Sequence, residues 1–192
     1  MNDIKSIINN SISVKKSILE DEKLLDKINK ISITISNCFK NGGKVLFCGN
    51  GGSAADAQHL AAEFSGRFYK DREPLFSESL TVNTSYLTAV ANDYSYDEVY
   101  SRLVRAMGKP GDILVAISTS GNSKNIIKAV DSANNLGMIT IVLTGLKGGE
   151  LNKICSYNIN VPSEDTPRIQ ESHIMIGHII CELVENSIFN VD

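Results

Sequence analysis

The sequence has no cysteines at CxxC spacing, no apolar run near the ~20 residues of a membrane span, and no excess of basic charge. Each absence excludes a class of protein. Cys38, Cys48, Cys155 and Cys181 are scattered, three of them inside apolar segments. Free buried thiols in a reducing compartment fit that pattern better than a disulfide or thiolate-metal framework. The N-terminal MNDIKSIINNS lacks the continuous apolar stretch of a signal peptide, so a cytoplasmic location is expected. Nineteen Lys and Arg against 22 Asp and Glu give a net charge of −3, too little of either sign to draw in nucleic acid or an anionic membrane. No repeat, low-complexity tract or linker interrupts the 192 residues, and at about 150 residues per domain a second full domain does not fit.

What is present is a globular composition, 42% apolar and 21% charged, enough for a sizeable core. Ile4, Ile7, Ile8, Ile12, Ile18, Leu24, Leu25, Ile28, Ile31 and Ile35 recur at spacings of three and four. This predicts two amphipathic helices over 3–40, broken near Asp21–Lys23 and ended by Asn41-Gly42-Gly43. The hairpin serves either as packing for the core or as an oligomer contact. From Lys44 onward short apolar runs alternate with helical stretches. The candidate strands are Val45–Cys48, Leu80–Val82, Ile113–Ile117, Ile139–Leu143 and Ile159–Val161. The candidate helices cover about 53–65, 85–107, 122–136, 149–154 and 167–189, with Lys70–Glu78 a surface loop. Nearly continuous apolar strands separated by helices predict an open, doubly wound parallel α/β sheet of five strands. The expected organisation is one domain over 1–192, helical over 1–42 with an α/β core over 43–192.

Ligands in such folds bind at the carboxyl ends of strands, and two turns there stand out. Gly49-Asn50-Gly51-Gly52-Ser53-Ala54 follows the first strand and opens a helix. Its GxGGxA spacing departs from the dinucleotide fingerprint, and the next strand ends without an acidic residue for a ribose. Ser118-Thr119-Ser120-Gly121-Asn122-Ser123 follows Ile113–Ile117 and opens the next helix, with Asn122-Ser123 where a Walker loop needs Lys-Ser. One hydroxyl would serve as an ordinary helix cap; four in six residues at a helix N-terminus describe a site for a monoester phosphate.

The three histidines supply the second clue. His59 and Glu63 are four apart and share a helix face, which a surface contact would equally explain. Gln170 and His178 are eight apart, about 80° around the axis at ~100° per residue, and can converge on one site. His173 lies about 140° away by the same arithmetic and stays outside. A His/Glu/Gln/His set suits a borderline metal such as zinc, or a carboxylate base with an imidazole acid.

Together GKVLFCGNGGSAADAQHLAAEFSGR, AISTSGNS and TPRIQESHIMIGHIICELVE resemble the sugar isomerase domain family, and within it the phosphoheptose isomerases, over about Lys44 to Glu185. The resemblance implies that Ser53, Ser118, Thr119, Ser120 and Ser123 bind the substrate phosphate. It implies that Glu63 moves a proton between adjacent carbons of an open-chain sugar, with His178 as its acid–base partner. It implies one zinc per subunit held by His59, Glu63, Gln170 and His178, and a pocket lined by Asn50, Gly51, Gly52, Arg67, Asn92, Asp93 and Gln170. Glu63 fills both of its roles only if its metal contact is loose or changes during turnover. The implied reaction interconverts sedoheptulose 7-phosphate and glycero-manno-heptose 7-phosphate through an enediol, the entry to bacterial heptose synthesis for surface polysaccharide. The implied assembly is a homotetramer with sites near subunit interfaces.

Two non-enzymatic readings compete, a member of the same fold that binds a replication initiator and a sugar-phosphate sensor. The initiator-associating relative, by resemblance, lacks an acid–base pair at the positions of Glu63 and His178, and a sensor needs neither. An isomerase of hexose or pentose phosphates also fits the phosphate turn.

Overall fold

The computed structural model describes residues 2–189; residue 1 and residues 190–192 of the expected domain lie outside the described residues. Five parallel strands form one sheet in the order β2-β1-β3-β4-β5. They are β1 (Val45–Gly49), β2 (Ser77–Ser79), β3 (Ile113–Ile117), β4 (Ile139–Thr144) and β5 (Tyr157–Asn160). Because side chains alternate along a strand, Val45, Phe47, Ile113, Val115, Ile117, Ile141 and Leu143 enter one core cluster and Leu46, Cys48, Leu114, Ala116 and Val142 the other. Helices α1 (Asn2–Glu20), α2 (Glu22–Lys40), α3 (Gly52–Ser65) and α8 (Thr166–Phe189) supply the first cluster. On the other face lie α4 (Thr84–Asp93), α5 (Val99–Met107), α6 (Lys124–Asn135) and α7 (Leu151–Ile154). The doubly wound five-stranded sheet expected from the apolar runs is the architecture found.

The N-terminal pair is a helical hairpin, turned at Asp21, whose carboxylate accepts from the Lys23 and Leu24 amides and so caps α2. Helix α1 leaves Ile4, Ile7, Ile8, Ile12 and Leu19 exposed along one stripe.

Three expectations need correction. The edge strand is Ser77–Ser79, not Leu80–Val82, and it takes the last residues of the expected loop. Ser77 and Ser79 point inward without apolar side chains: the Ser77 hydroxyl donates to the Val45 carbonyl and the Ser79 hydroxyl pairs with Thr81. The apolar signal at Leu80 marks a core residue just past the strand, whose amide prolongs the ladder to the Phe47 carbonyl. The helix expected over 85–107 is interrupted, because Ser95 is extended and Tyr96–Glu98 form a single 3-10 turn before α5. The last strand begins two residues early, at Tyr157.

His173 illustrates what burial does to a titratable group. It is fully buried on α8, where its Nε2 donates to the Thr144 carbonyl at 3.1 Å and its Nδ1 has no partner. Burial pushes its pKa down from 6.5 to about 4, the Thr144 carbonyl opposing. The unfolded chain binds this proton near pH 6.5 and the folded one only near 4, so its stabilising effect is complete above pH 6.5 and lost as pH falls toward 4. Unfolding titrations should show wild type losing about 2 kcal/mol from this residue between pH 7.5 and 5. His173→Gln should lack that share of the slope; a difference between the two proteins that is constant with pH would refute the assignment.

Candidate active site

The strand order places the topological switch point between β1 and β3, the crevice where open α/β sheets bind ligands. Both turns singled out from the sequence open there. Gly51, with φ of +58°, precedes α3, and Ser123 precedes α6; neither helix start has a side-chain cap. The Ser123 side chain therefore does not act as an ordinary helix cap. Its hydroxyl instead meets that of Ser118 at 3.2 Å. Ser120 Oγ accepts from the Asn122 amide at 3.2 Å, and Ser53 is buried in the first turn of α3. The two helix N-termini and the hydroxyls of Ser53, Ser118, Thr119, Ser120 and Ser123 lie on the turns after the two adjacent strands that flank the switch point, an arrangement suited to a phosphate. A cavity of about 340 Å³ opens beside the serine turn, lined by Thr119 and Ser120 and by Thr166 and Ile169 of α8.

Backbone contact fixes the serine turn. Gly121 has φ of +67°, and a Cβ there would stand 2.0 Å from the Gly148 carbonyl oxygen. The Gly121 carbonyl accepts from the Leu151 amide and the Gly145 amide donates to the Thr119 carbonyl, so the loop after β4 grips the turn.

On α3, Gly52, Asp56, His59 and Glu63 follow one another at spacings of four, three and four and form one stripe. This stripe faces α8, and the helices run side by side in the same direction: a Cβ at Gly52 would meet Gln170, and a Cβ at Gly177 would meet Leu60 at 2.6 Å. The missing side chain at Gly177 permits that approach. His59 Nε2 consequently lies 2.9 Å from Glu63 Oε1 and 3.3 Å from His178 Nε2, and the Phe68 ring stands 5.7 Å from that of His178. Glu63 has a side-chain exposure of 22%, enough shelter for a base and still open to substrate.

The donor set fits a zinc ion. One ligand atom each from His59, Glu63 and His178 lies within 4.8 Å of the others. The 3.3 Å between the two imidazole nitrogens equals the separation, about 3.3 Å, that tetrahedral bonds of 2.0–2.1 Å impose. Gln170 stands two helical turns earlier on α8, beside Gly52.

Other expected residues are placed less centrally. Arg67, just beyond α3, and Asn92 and Asp93, at the end of α4, are exposed, with Asn92 Nδ2 donating to Asp93 Oδ1. Asn50 is drawn in by a residue that motif reading missed: its side-chain amide pairs reciprocally with that of Asn125, at 2.9 and 2.8 Å, bridging the β1 turn to α6. Tyr96 donates to Asn50 Oδ1, and Tyr100 to the Gly49 carbonyl. Asp56 was also missed, although the stripe spacing includes it. One of its oxygens is buried without a partner, and burial raises its pKa, with His59 opposing.

Comparison with known proteins places these features. A family model described as SIS domain matches residues 8–145. Phosphoheptose isomerase of Aneurinibacillus thermoaerophilus is 55% identical over 190 residues, covering 98% of this chain and 96% of the relative. The structure of phosphoheptose isomerase GmhA from Neisseria gonorrhoeae superposes with a TM-score of 0.91 at 41% identity, over 96% of this chain and 98% of that one. That of a phosphoheptose isomerase from Francisella tularensis gives 0.92 at 36%, over 96% and 97%. With the switch-point crevice, the serine turn and the His59–Glu63–His178 cluster, the chain belongs to the SIS domain family and, within it, to the phosphoheptose isomerases.

Proposed function

We propose that this phosphosugar isomerase interconverts sedoheptulose 7-phosphate and D-glycero-D-manno-heptose 7-phosphate, with Glu63 and His178 as its acid–base pair. The observation that carries this reading is the convergence of Glu63, His59 and His178 from two helices, one of them the α3 whose N-terminus opens at the serine-lined crevice. Ser53, Ser118, Thr119, Ser120 and Ser123 hold the phosphate and Gly51 and Gly52 let the backbone approach it, fixing one end of the open-chain sugar. Glu63 removes the proton on the carbon next to the carbonyl, and His178 protonates the carbonyl oxygen, giving an enediol. Return of the proton from Glu63 to the neighbouring carbon, while His178 takes back a proton from the other enediol oxygen as its carbonyl forms, completes the exchange and restores both groups. Asn50 and Gln170 orient the hydroxyls between phosphate and reacting carbons, and Arg67, Asn92 and Asp93 complete the pocket wall.

His59, Glu63 and His178 would hold zinc, which would supply polarisation of the substrate carbonyl when bound, and Gln170, two turns earlier on α8, would join as a weaker oxygen ligand only by extending along the helix toward them. With Glu63 in both sets, its metal contact must be the one that loosens.

The apolar stripe of Ile4, Ile7, Ile8, Ile12 and Leu19 supports a subunit contact in a homotetramer. We read residues 1–192 as one domain of this assembly. Four free cysteines suit the cytoplasm, and among the described residues no helix is long and apolar enough to cross a membrane. The product would feed heptose units toward surface polysaccharide.

Removing metal tests the reading. Chelated protein assayed with sedoheptulose 7-phosphate is expected to lose most turnover and to regain it with one equivalent of zinc. Full activity after verified metal removal would leave Glu63 and His178 as a metal-free pair and refute the zinc assignment.

A further inference from the structure

Arg72 and Glu185 form an ion pair at 3.0 Å, with side-chain exposures of 3% and 2%. Burying two charges costs several kcal/mol of lost hydration, so a buried pair is poor evidence of a stability role by itself. This pair is saturated with hydrogen bonds, several of which run to the end of α3 and to Phe68. Glu185 Oε2 accepts from the amides of Tyr69 and Lys70 at 2.9 and 3.1 Å. Its Oε1 accepts from the Phe68 amide at 3.2 Å and from Arg72 Nε. The remaining Arg72 nitrogens donate to the carbonyls of Glu63 and Phe64, both at 2.8 Å, and of Gly66 and Glu73. Carbonyls in the last turn of a helix have no intrahelical partner, and Arg72 supplies one beginning at Glu63 itself.

Glu185 stands seven residues after His178 on α8, two turns along the same face. The three amides it gathers curl residues 68–70 back over that helix and set the Phe68 ring beside His178. The end of α3 that carries Glu63 and the wall beside His178 are thus fastened to one carboxylate. Burial pushes the Glu185 carboxyl up, but the Tyr69 amide, Arg72 and the other two amides more than offset it, leaving it below the ordinary carboxylate range and charged at neutral pH.

We propose that Arg72 and Glu185 are positioning residues that set the distance between Glu63 and His178, acting through the Glu63 carbonyl and the Phe68 ring without touching substrate. The inference rests on the roles assigned above to Glu63 and His178. Proton transfer tolerates little displacement: a 1 Å error in placement can cost about 10²-fold in rate.

Glu185→Gln keeps the size of the side chain but removes the charge and sets an NH2 group among donors. At a temperature well below its melting point, with folding confirmed by circular dichroism, kcat should fall about 10- to 100-fold. KM for sedoheptulose 7-phosphate should stay within about twofold, because the phosphate is held at the far end of α3. Glu185→Asp should recover part of kcat. Imidazole resonances give a readout independent of turnover, since the chain has only three histidines. In metal-free protein the His59 and His178 signals should shift in Glu185→Gln while those of His173 stay in place. Arg72→Lys, which retains charge but loses the fork, should behave alike and substitutes if Glu185→Gln does not fold. A variant that melts earlier yet keeps wild-type kcat, KM and imidazole resonances would overturn the proposal. If wild type turned over no heptose phosphate, the functional reading would fail separately. The resonances would then still decide, unmoved signals refuting the clamp.

Discussion

Glu63→Gln is expected to lower kcat by about 10³-fold, within the range for loss of a general base, while the protein melts close to wild type. The substitution keeps the shape of the side chain and an oxygen to meet His59, but an amide cannot carry the proton between carbons. The fold should survive because the backbone carbonyl that Arg72 holds is unchanged and the side chain is partly exposed. His178→Ala should cause a loss of similar order, since it removes the acid that protonates the sugar oxygen. The effects of the two changes should be far from additive, as for groups that act as a unit. Steady-state kinetics on the single and double variants check this; turnover near wild type in either single variant would remove that residue from the mechanism.

The second large effect is expected at a residue with no side chain. Gly121→Ala places a Cβ 2.0 Å from the Gly148 carbonyl oxygen at a φ of +67°, so the serine turn and the loop after β4 must separate. Backbone strain of this kind costs about 1–3 kcal/mol before any clash is counted. Separation displaces Ser118, Thr119, Ser120 and Ser123 together, so kcat/KM should fall by about 10²-fold or more, the scale for misplaced binding groups. Ser118→Ala and Ser120→Ala, which trim single hydroxyls and leave the turn in place, should mainly raise KM. Phosphate is a remote handle whose binding energy positions the reacting carbon. Inhibition by inorganic phosphate reads the same site without chemistry and should weaken in parallel. Unchanged kinetics and unchanged phosphate inhibition in Gly121→Ala would contradict the phosphate assignment.

Sequence periodicity revealed the parts of this molecule governed by local burial. Strands β1 and β3 are nearly continuous apolar runs, and β4 is one interrupted only by the buried Thr140 and Thr144, because both of their faces are covered, and they were readable to within a residue or so. Strand β2 is Ser-Glu-Ser, held at the sheet edge by backbone pairing with β1 and by the Ser77 hydroxyl, and no apolar pattern announces it. The pairing of His59 with Glu63 follows from helical spacing. Their meeting with His178 depends on the close approach of α3 to α8 at Gly177, a tertiary fact. Arg72 and Glu185 are 113 positions apart in sequence, and each alone resembles a surface charge. Only the folded chain shows that Arg72 and three backbone amides all donate to the Glu185 carboxylate. Asn125 was hidden for the same reason, its partner Asn50 lying 75 positions away.

The most direct measurement follows sedoheptulose 7-phosphate by NMR with wild type and Glu63→Gln in D2O. Wild type should form the aldose phosphate and introduce solvent deuterium at the carbon next to the carbonyl, while Glu63→Gln should do neither at a comparable rate. Absence of conversion by zinc-loaded wild type, or conversion with the hydrogen wholly retained in both proteins, would contradict proton transfer by Glu63 through an enediol.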